Sequence, residues 1–582
     1  LLESTMGKSA KRSGKESFLK VNPTSILNRS KDWQSFKEQL VSLNPKDKGD
    51  CFELLTERFL CLDPTYASLL KKVWPLGKLP EKVRKHLNLP LTDEGIDLVA
   101  ETKEGDYWAI QCKYKTDENS SLTRKELSTF TDLAFGICNN FTFGLVCTSA
   151  DRFSRKLKLH EGKIGFCSGE RWRALDEDFF SRIHADIEGR AKKIEPFKPR
   201  DHQKRAIRNA VKHFVKEKAS RGKLIMPCGS GKSLAAYWIA EKFGSKKILV
   251  AVPSLALIRQ TLEVWTRESL AAKKNFRWIC VCSDQSVGKV ESDDIAILSQ
   301  DLGVKISTDQ EQISKWLRKR TTQTSVTFVT YQSGATLADA AKSAGWKFDL
   351  GVFDEAHKTV GGKDSLFAHL LRDENLKIDK RLFMTATERR YQGSSERIVS
   401  MDDPQLFGDT FELLSFKEAI EIKPPILSDY KVITIGITTD EIRELVKKNV
   451  MVRPNLGRWS KDMETRMLAS AIALRKAMKQ EPIRHAVSFH SSIARAKAFA
   501  EIQDRLSRNI PECGDLETMH ISGAMPTSVR AAMLDEFVQS DRGLVTNARC
   551  LTEGIDVKQI DCVLFADPKK ARSISFKLQA GR

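Results

Sequence analysis

Apolar residues in this chain switch between two spacings, and the switches divide it. From Asp50, the positions Phe52, Leu54, Leu55, Phe59 and Leu60 fall on one side of a helix, with Glu53 and Glu57 beside them. After an irregular stretch rich in Leu, Pro and Lys, apolar residues alternate on either side of a turn at Lys103–Asp106, which predicts a β-hairpin ending in Tyr107–Lys113. Alternation puts Gln111 and Lys113 on one face of that strand and Cys112 on the other. Apolar runs at Phe143–Thr148 and Lys163–Cys167 read as further strands. Beyond Pro199, strand patterns at Lys247–Val252, Trp278–Cys282, Val326–Thr330, Leu350–Phe353 and Leu382–Thr385 are separated by helical ones. That order predicts a parallel sheet covered on both faces, with ligand loops at the strands' carboxyl ends.

Neither spacing is present in the Lys/Ser/Arg-rich residues 1–44, which read as a flexible basic tail. Residues 403–429, with Pro424-Pro425, read as a linker. A chain of 582 residues exceeds one core and implies three or four domains. Its net charge of +20 turns attention to a polyanionic partner, nucleic acid first, bound with an affinity that falls steeply as salt rises. Twelve cysteines are scattered without a C-x-x-C pair, which suits reduced thiols in a cytoplasmic or nuclear setting better than a zinc site or disulfide framework. No apolar run reaches 18 residues, so no membrane partner is expected. Leu rather than Met at position 1, with Met6 as an internal start, reads as a piece of an open reading frame.

Two stretches carry phosphate chemistry. The first is Leu224-Ile225-Met226-Pro227-Cys228-Gly229-Ser230-Gly231-Lys232-Ser233, an apolar run and a glycine-bearing loop that opens a helical pattern. Loop N–H groups from Gly229, Ser230 and Gly231 would cradle a triphosphate, Lys232 would reach its β- and γ-phosphates, and Ser233 would hold Mg²⁺. Met226 stands where the usual pattern has its first glycine. The second is Asp354-Glu355-Ala356-His357 at the end of a strand, where Asp354 can hold Mg²⁺ and Glu355 can polarise the hydrolytic water. His357 would couple ATP to nucleic acid. Upstream, Gln203 is suited to adenine recognition through its amide edge.

With Met384-Thr385-Ala386-Thr387 following in order, these stretches resemble the superfamily 2 DEAH-box helicases and translocases from about Phe197 to the end of the chain. The resemblance implies two RecA-like domains sandwiching ATP, the second with strands at His485–Phe489, Met519–Ile521, Gly543–Thr546 and Cys562–Phe565. It implies nucleic-acid backbone contacts from Pro253, Ser254, Thr330, Thr385, Thr387 and Thr546, and nucleotide contacts from Gly554 and Asp556. Phe489-His490-Ser491 matches motif IV. Motif VI reads Gln579-Ala580-Gly581-Arg582, one residue short between Gln and Gly and without its second arginine. Arg582 is therefore the candidate finger for the γ-phosphate, and losing such a group costs roughly 10³ to 10⁵ in rate at comparable sites.

In the hairpin, Asp97 and the Gln111/Lys113 face can gather round a Mg²⁺ ion, Lys113 positioning the attacking water. Glu53 is the preferred additional carboxylate, with Glu57 in reserve. The run Gly95-Ile96-Asp97 followed by Gln111-Cys112-Lys113 resembles the Mrr-type restriction endonucleases, a branch of the PD-(D/E)xK nucleases, over residues 45–190. The resemblance implies catalytic Asp97 and Lys113, with Gln111 in place of a second acid. The expected architecture is α/β: an endonuclease-like domain (45–190), then two RecA-like domains (191–402 and 430–582), the second incomplete. Nuclease followed by motor resembles the front half of single-polypeptide ATP-dependent restriction enzymes. It implies ATP, Mg²⁺ and double-stranded DNA, with type I-like endodeoxyribonuclease activity in defence against foreign DNA. A methyltransferase and specificity region would then be missing from this chain or act in trans. A nuclease-like domain that only binds DNA, or an RNA helicase with an accessory module, are the competing readings.

Overall fold

The computed structural model describes residues 21–90, 95–118, 120–138, 140–153, 162–190, 192–283, 299–362, 366–390, 398–442, 461–509, 514–522, 525, 527–548 and 559–567. Gly554, Asp556 and Arg582 lie outside the described residues.

The N-terminal domain is built on a five-stranded mixed sheet. Its order is Leu70–Pro75, Leu98–Thr102, Tyr107–Lys113, Phe141–Thr148, Ile164–Cys167, the first two pairings antiparallel and the last two parallel. The expected hairpin is present in the register Leu98↔Ile110. The helix Pro45–Leu62 starts at an Asn44 cap and buries Phe52, Leu55, Phe59 and Leu60 against one face of the sheet. The other face packs on Leu127, Phe130 and Leu133, from the helix Arg124–Asp132 and the turn that follows it.

The basic leader ends earlier than expected. Pro23–Arg29 and Trp33–Leu40 are helices, capped by Asn22 and Asp32, and their Leu27, Trp33, Phe36 and Leu40 are buried in the domain core. Each spans only about two turns, too few repeats for a helical period to stand out from the basic composition around it.

The first motor sheet has eight parallel strands in the order Ile306–Ser307, Arg277–Val281, Ser325–Thr330, Lys247–Val252, Phe348–Phe353, Ile378–Thr385, Arg221–Ile225, Asp409–Leu413. The last strand corrects the linker boundary. Asp409–Leu413 pairs with Arg221–Ile225, and Leu414, Ala419 and Ile426 are buried in the same core, so the first motor domain extends well past residue 402. The second motor domain shows four parallel strands, Glu517–His520, Gly543–Asn547, His485–Phe489 and Cys562–Phe565, with apolar cores on both faces.

The nuclease-like domain and the first motor sheet share one continuous apolar core, running from Phe52 and Trp172 through Trp278 to Val352. Polar bonds cross the same boundary. Tyr66 Oη donates to the Gly303 carbonyl at 3.0 Å, and Trp278 Nε1 donates to Ser68 Oγ at 2.9 Å. No helix among the described residues is long and apolar enough to cross a membrane.

Candidate ATPase and nuclease sites

The phosphate loop leaves the strand Arg221–Ile225 and enters the helix Lys232–Phe243 through Gly231, whose φ of +80° favours glycine. A Cβ at Gly231 would also lie 2.4 Å from Gln203 Nε2. Met226 explains its own departure from the pattern: its side chain is buried in the core while its N–H donates to the Thr385 carbonyl at 3.0 Å. Lys232 Nζ donates to the Met226 carbonyl at 3.3 Å and stands 3.9 Å from Glu355 Oε1. Cys228 Sγ is close to both, 3.7 Å from Lys232 Nζ and 3.9 Å from Glu355 Oε1.

Asp354 and Glu355 end the strand Phe348–Phe353, with Glu355 at φ +48°. A non-glycine residue held there costs about 1–3 kcal/mol, a strain that clusters at functional sites. Burial raises the Asp354 carboxyl, and the neighbouring Glu355 charge adds to the rise, to about 6. Burial opposes ionisation of Glu355 as well, but Lys232 and His357 outweigh it and bring that carboxyl down to about 2. Lys232 thus favours the ionised form of Glu355. Ser233 Oγ is buried without a hydrogen-bond partner in the protein, as a hydroxyl waiting for a cation would be. Lys232, Ser233 and Asp354 therefore fit a Mg²⁺-triphosphate.

Gln203 behaves differently from its expected role. Its Nε2 donates to the Ser230 and Gly231 carbonyls at 3.3 Å each and its Oε1 accepts from Arg200 N at 2.9 Å, so the amide edge is committed to the loop. His202, which sequence reading passed over, holds the same loop through Nε2 and the Ser230 carbonyl, 2.9 Å apart. Only its adjacency to Gln203 could have marked it.

The residues expected on nucleic acid separate into two groups. Ser254, which caps the helix Leu255–Ala271, and Thr387 are partly exposed. Pro253, Thr330, Thr385 and Thr546 are buried, and the three hydroxyls are occupied inside the protein. Thr330 Oγ1 donates to Ser333 Oγ, Thr385 Oγ1 lies 3.0 Å from His357 Nδ1, and Thr546 Oγ1 lies 3.1 Å from His520 Nδ1. Tyr331, in the motif that Thr330 opens, faces inward instead and donates its hydroxyl to the Asp354 carbonyl at 2.6 Å.

In the N-terminal domain Asp97 directly precedes the strand Leu98–Thr102, at the end where Leu98 pairs with Ile110, the residue before Gln111. Asp97 Oδ2 accepts from Cys112 N at 2.5 Å, and Asp97 N donates to the Ile110 carbonyl at 2.9 Å. Gln111 is 1% exposed, and its Oε1 is buried with no hydrogen-bond partner. An orphaned acceptor one residue before the amide that binds the Asp97 carboxylate fits a divalent cation. Lys113 closes the strand half-exposed, its carbonyl accepting from Thr148 Oγ1 at 2.8 Å. Burial pushes the Cys112 thiol well up, and the charges of Asp97 and Glu53 push it further. Glu57, raised by burial, has Arg58, Lys78 and Asp186 as its charged neighbours instead. Among the described residues no three His, Cys, Asp or Glu side chains form a metal-holding group.

Residues 61–162 match the family model described as "Restriction endonuclease", residues 196–390 match "Type III restriction enzyme, res subunit", and residues 469–582 match "Helicase conserved C-terminal domain". The chain joins a restriction-endonuclease domain to a two-domain helicase motor. Both halves carry over to a solved structure: the ATP-dependent Type ISP restriction-modification enzyme LlaBIII bound to DNA superposes with a TM-score of 0.77 at 25% identity, over 95% of this chain and 36% of that one. Two curated relatives are the "Probable helicase A859L" of African swine fever virus, from strain Badajoz 1971 Vero-adapted and isolate Tick/South Africa/Pretoriuskop Pr4/1996. Each is 26% identical over 357 residues, covering 60% of this chain and 36% of the viral protein. The chain thus spans about a third of the length of these relatives.

Proposed function

We propose that this chain is the cutting and moving part of an ATP-dependent restriction enzyme that tracks along double-stranded DNA and cleaves it. The observation that carries this reading is the presence of both sites on the frame shared with the DNA-bound Type ISP enzyme. Lys232 would bind the terminal phosphates, Ser233 and Asp354 would hold the cation, and Glu355 Oε2 would take a proton from the attacking water. ATP bound there supplies the free energy of phosphoanhydride cleavage. His357 and Thr385 would carry a change at Glu355 towards the partly exposed Thr387, and Ser254 would hold backbone phosphates without reading bases.

At the other site Asp97, Gln111 and Glu53 would hold a divalent cation, whose charge steadies the phosphate under attack. Lys113 would orient the water. Defence against foreign DNA is the role this pairing of domains supports. ATPase stimulation tests the motor's substrate: turnover should rise with duplex DNA and not with structured RNA, and preference for RNA would overturn the reading.

A further inference from the structure

The helix Gly169–Arg173 is five residues long and touches all three domains. Gly169 packs directly on the end of the strand Phe141–Thr148: a Cβ there would lie 2.4 Å from Asp151 Oδ1 and 2.8 Å from the Ser149 carbonyl. Glu170 pairs with Arg259 at 3.1 Å and Arg171 pairs with Glu263, both on the motor helix Leu255–Ala271 that Ser254 caps. Trp172 is fully buried in the nuclease core. Arg173 binds Asp151 through two bonds of 2.8 and 2.9 Å, and its Nε stands 3.2 Å from Asp535 on the second motor domain's helix Thr527–Gln539.

These contacts differ in strength. Asp151 is buried, so its bidentate bond keeps Arg173 with the nuclease. Asp535 is 54% exposed, and an ion pair so open to solvent makes and breaks readily. From the same helix the Trp172 indole touches two elements next to those that carry candidate nuclease residues, the strand beside Lys113 and the helix of Glu53. Its Nε1 donates to the Thr148 carbonyl at 2.9 Å, and Thr148 Oγ1 donates to the carbonyl of Lys113. Its ring meets Phe52, the neighbour of Glu53, edge-on at 4.9 Å.

We infer that Trp172 and Thr148 are positioning residues for Lys113 and Glu53, and that the Arg173–Asp535 contact makes this positioning respond to where the second motor domain stands. The inference rests on the nuclease reading above and adds a route by which motor state governs cutting. When the second domain withdraws, Arg173 settles fully on Asp151, and the strand end that supports Lys113 relaxes with it.

Hydrogen exchange of the full chain tests this, measured in Tyr107–Lys113 and Phe141–Thr148 with and without a non-hydrolysable ATP analogue, beside Mg²⁺-dependent nicking of plasmid DNA. Exchange in these strands should change with the analogue in the native protein. Asp535→Lys should abolish that change and make nicking the same with and without nucleotide. Thr148→Val should lower nicking about tenfold without disturbing nucleotide binding, and Thr148→Ser should restore it. An unresponsive native protein, a nucleotide response that survives in Asp535→Lys, or full nicking by Thr148→Val would overturn the inference. If the native protein nicks nothing, the nuclease reading fails, while the exchange arm still decides whether the two domains communicate.

Discussion

His357 Nδ1 and Thr385 Oγ1 are 3.0 Å apart in the interior of the first motor domain, and the same hydroxyl donates to the Thr387 carbonyl at 2.9 Å. The DEAH tetrad and the Thr-Ala-Thr loop are therefore one bonded unit. Thr385→Val keeps the shape and removes the hydroxyl, taking from the buried imidazole one hydrogen bond worth about 0.5–1.5 kcal/mol. Nucleotide binding should persist while DNA-stimulated ATP turnover falls at least about tenfold. Thr385→Ser should retain most of the stimulation; steady-state ATPase assays with and without duplex DNA distinguish the two.

Gln203 fixes the phosphate loop through two carbonyls, so its removal should be felt in nucleotide affinity whatever the base. Gln203→Ala removes one of two bonds to each carbonyl, since His202 still meets that of Ser230 and Ala235 N that of Gly231, a loss of about 1 kcal/mol or roughly fivefold in affinity. Titration with fluorescent ATP and GTP analogues should show both weakened alike. Loss confined to the adenine nucleotide would instead return Gln203 to base recognition.

His520 links the second motor domain's stability to pH. Burial lowers its pKa from 6.5 to about 4, with Lys497 adding to the fall. Between those values the unfolded chain takes up a proton that the fold does not, so this contribution is present above about 6.5 and is lost as pH falls towards 4. The Tm of the second domain should drop between pH 7 and pH 5, and His520→Asn should drop less. Equal drops would show that His520 plays no part.

Both sites were legible as ordered residue types. Lys232, Asp354 and Glu355 lie close to the ends of their own strands, and the hairpin spacing brings Asp97 to the end of the partner strand that carries Gln111 and Cys112. What the sequence hid is set by tertiary pairing. The strand Asp409–Leu413 sits among Pro-bearing residues that read as a linker, and it becomes a strand only because Arg221–Ile225 offers it an edge. The helices before Leu40 gain their burial from residues far along the chain, such as Trp172. Thr330, Thr385 and Thr546 match nucleic-acid motifs by position, yet a hydroxyl's partner depends on burial, which spacing does not report. His202, Tyr331 and Arg173 act through contacts that no local pattern announces.

Mg²⁺-dependent nicking of supercoiled DNA, compared across the native chain and the variants Asp97→Ala, Lys113→Ala and Lys232→Ala, bears most directly on the pairing of a nuclease with a motor. The native chain should nick, Asp97→Ala and Lys113→Ala should each abolish nicking, and Lys232→Ala should keep basal nicking while losing its response to ATP. Nicking that survives Asp97→Ala and Lys113→Ala, or a native chain that binds DNA without ever cutting it, would contradict the assignment and leave the N-terminal domain a DNA-binding module.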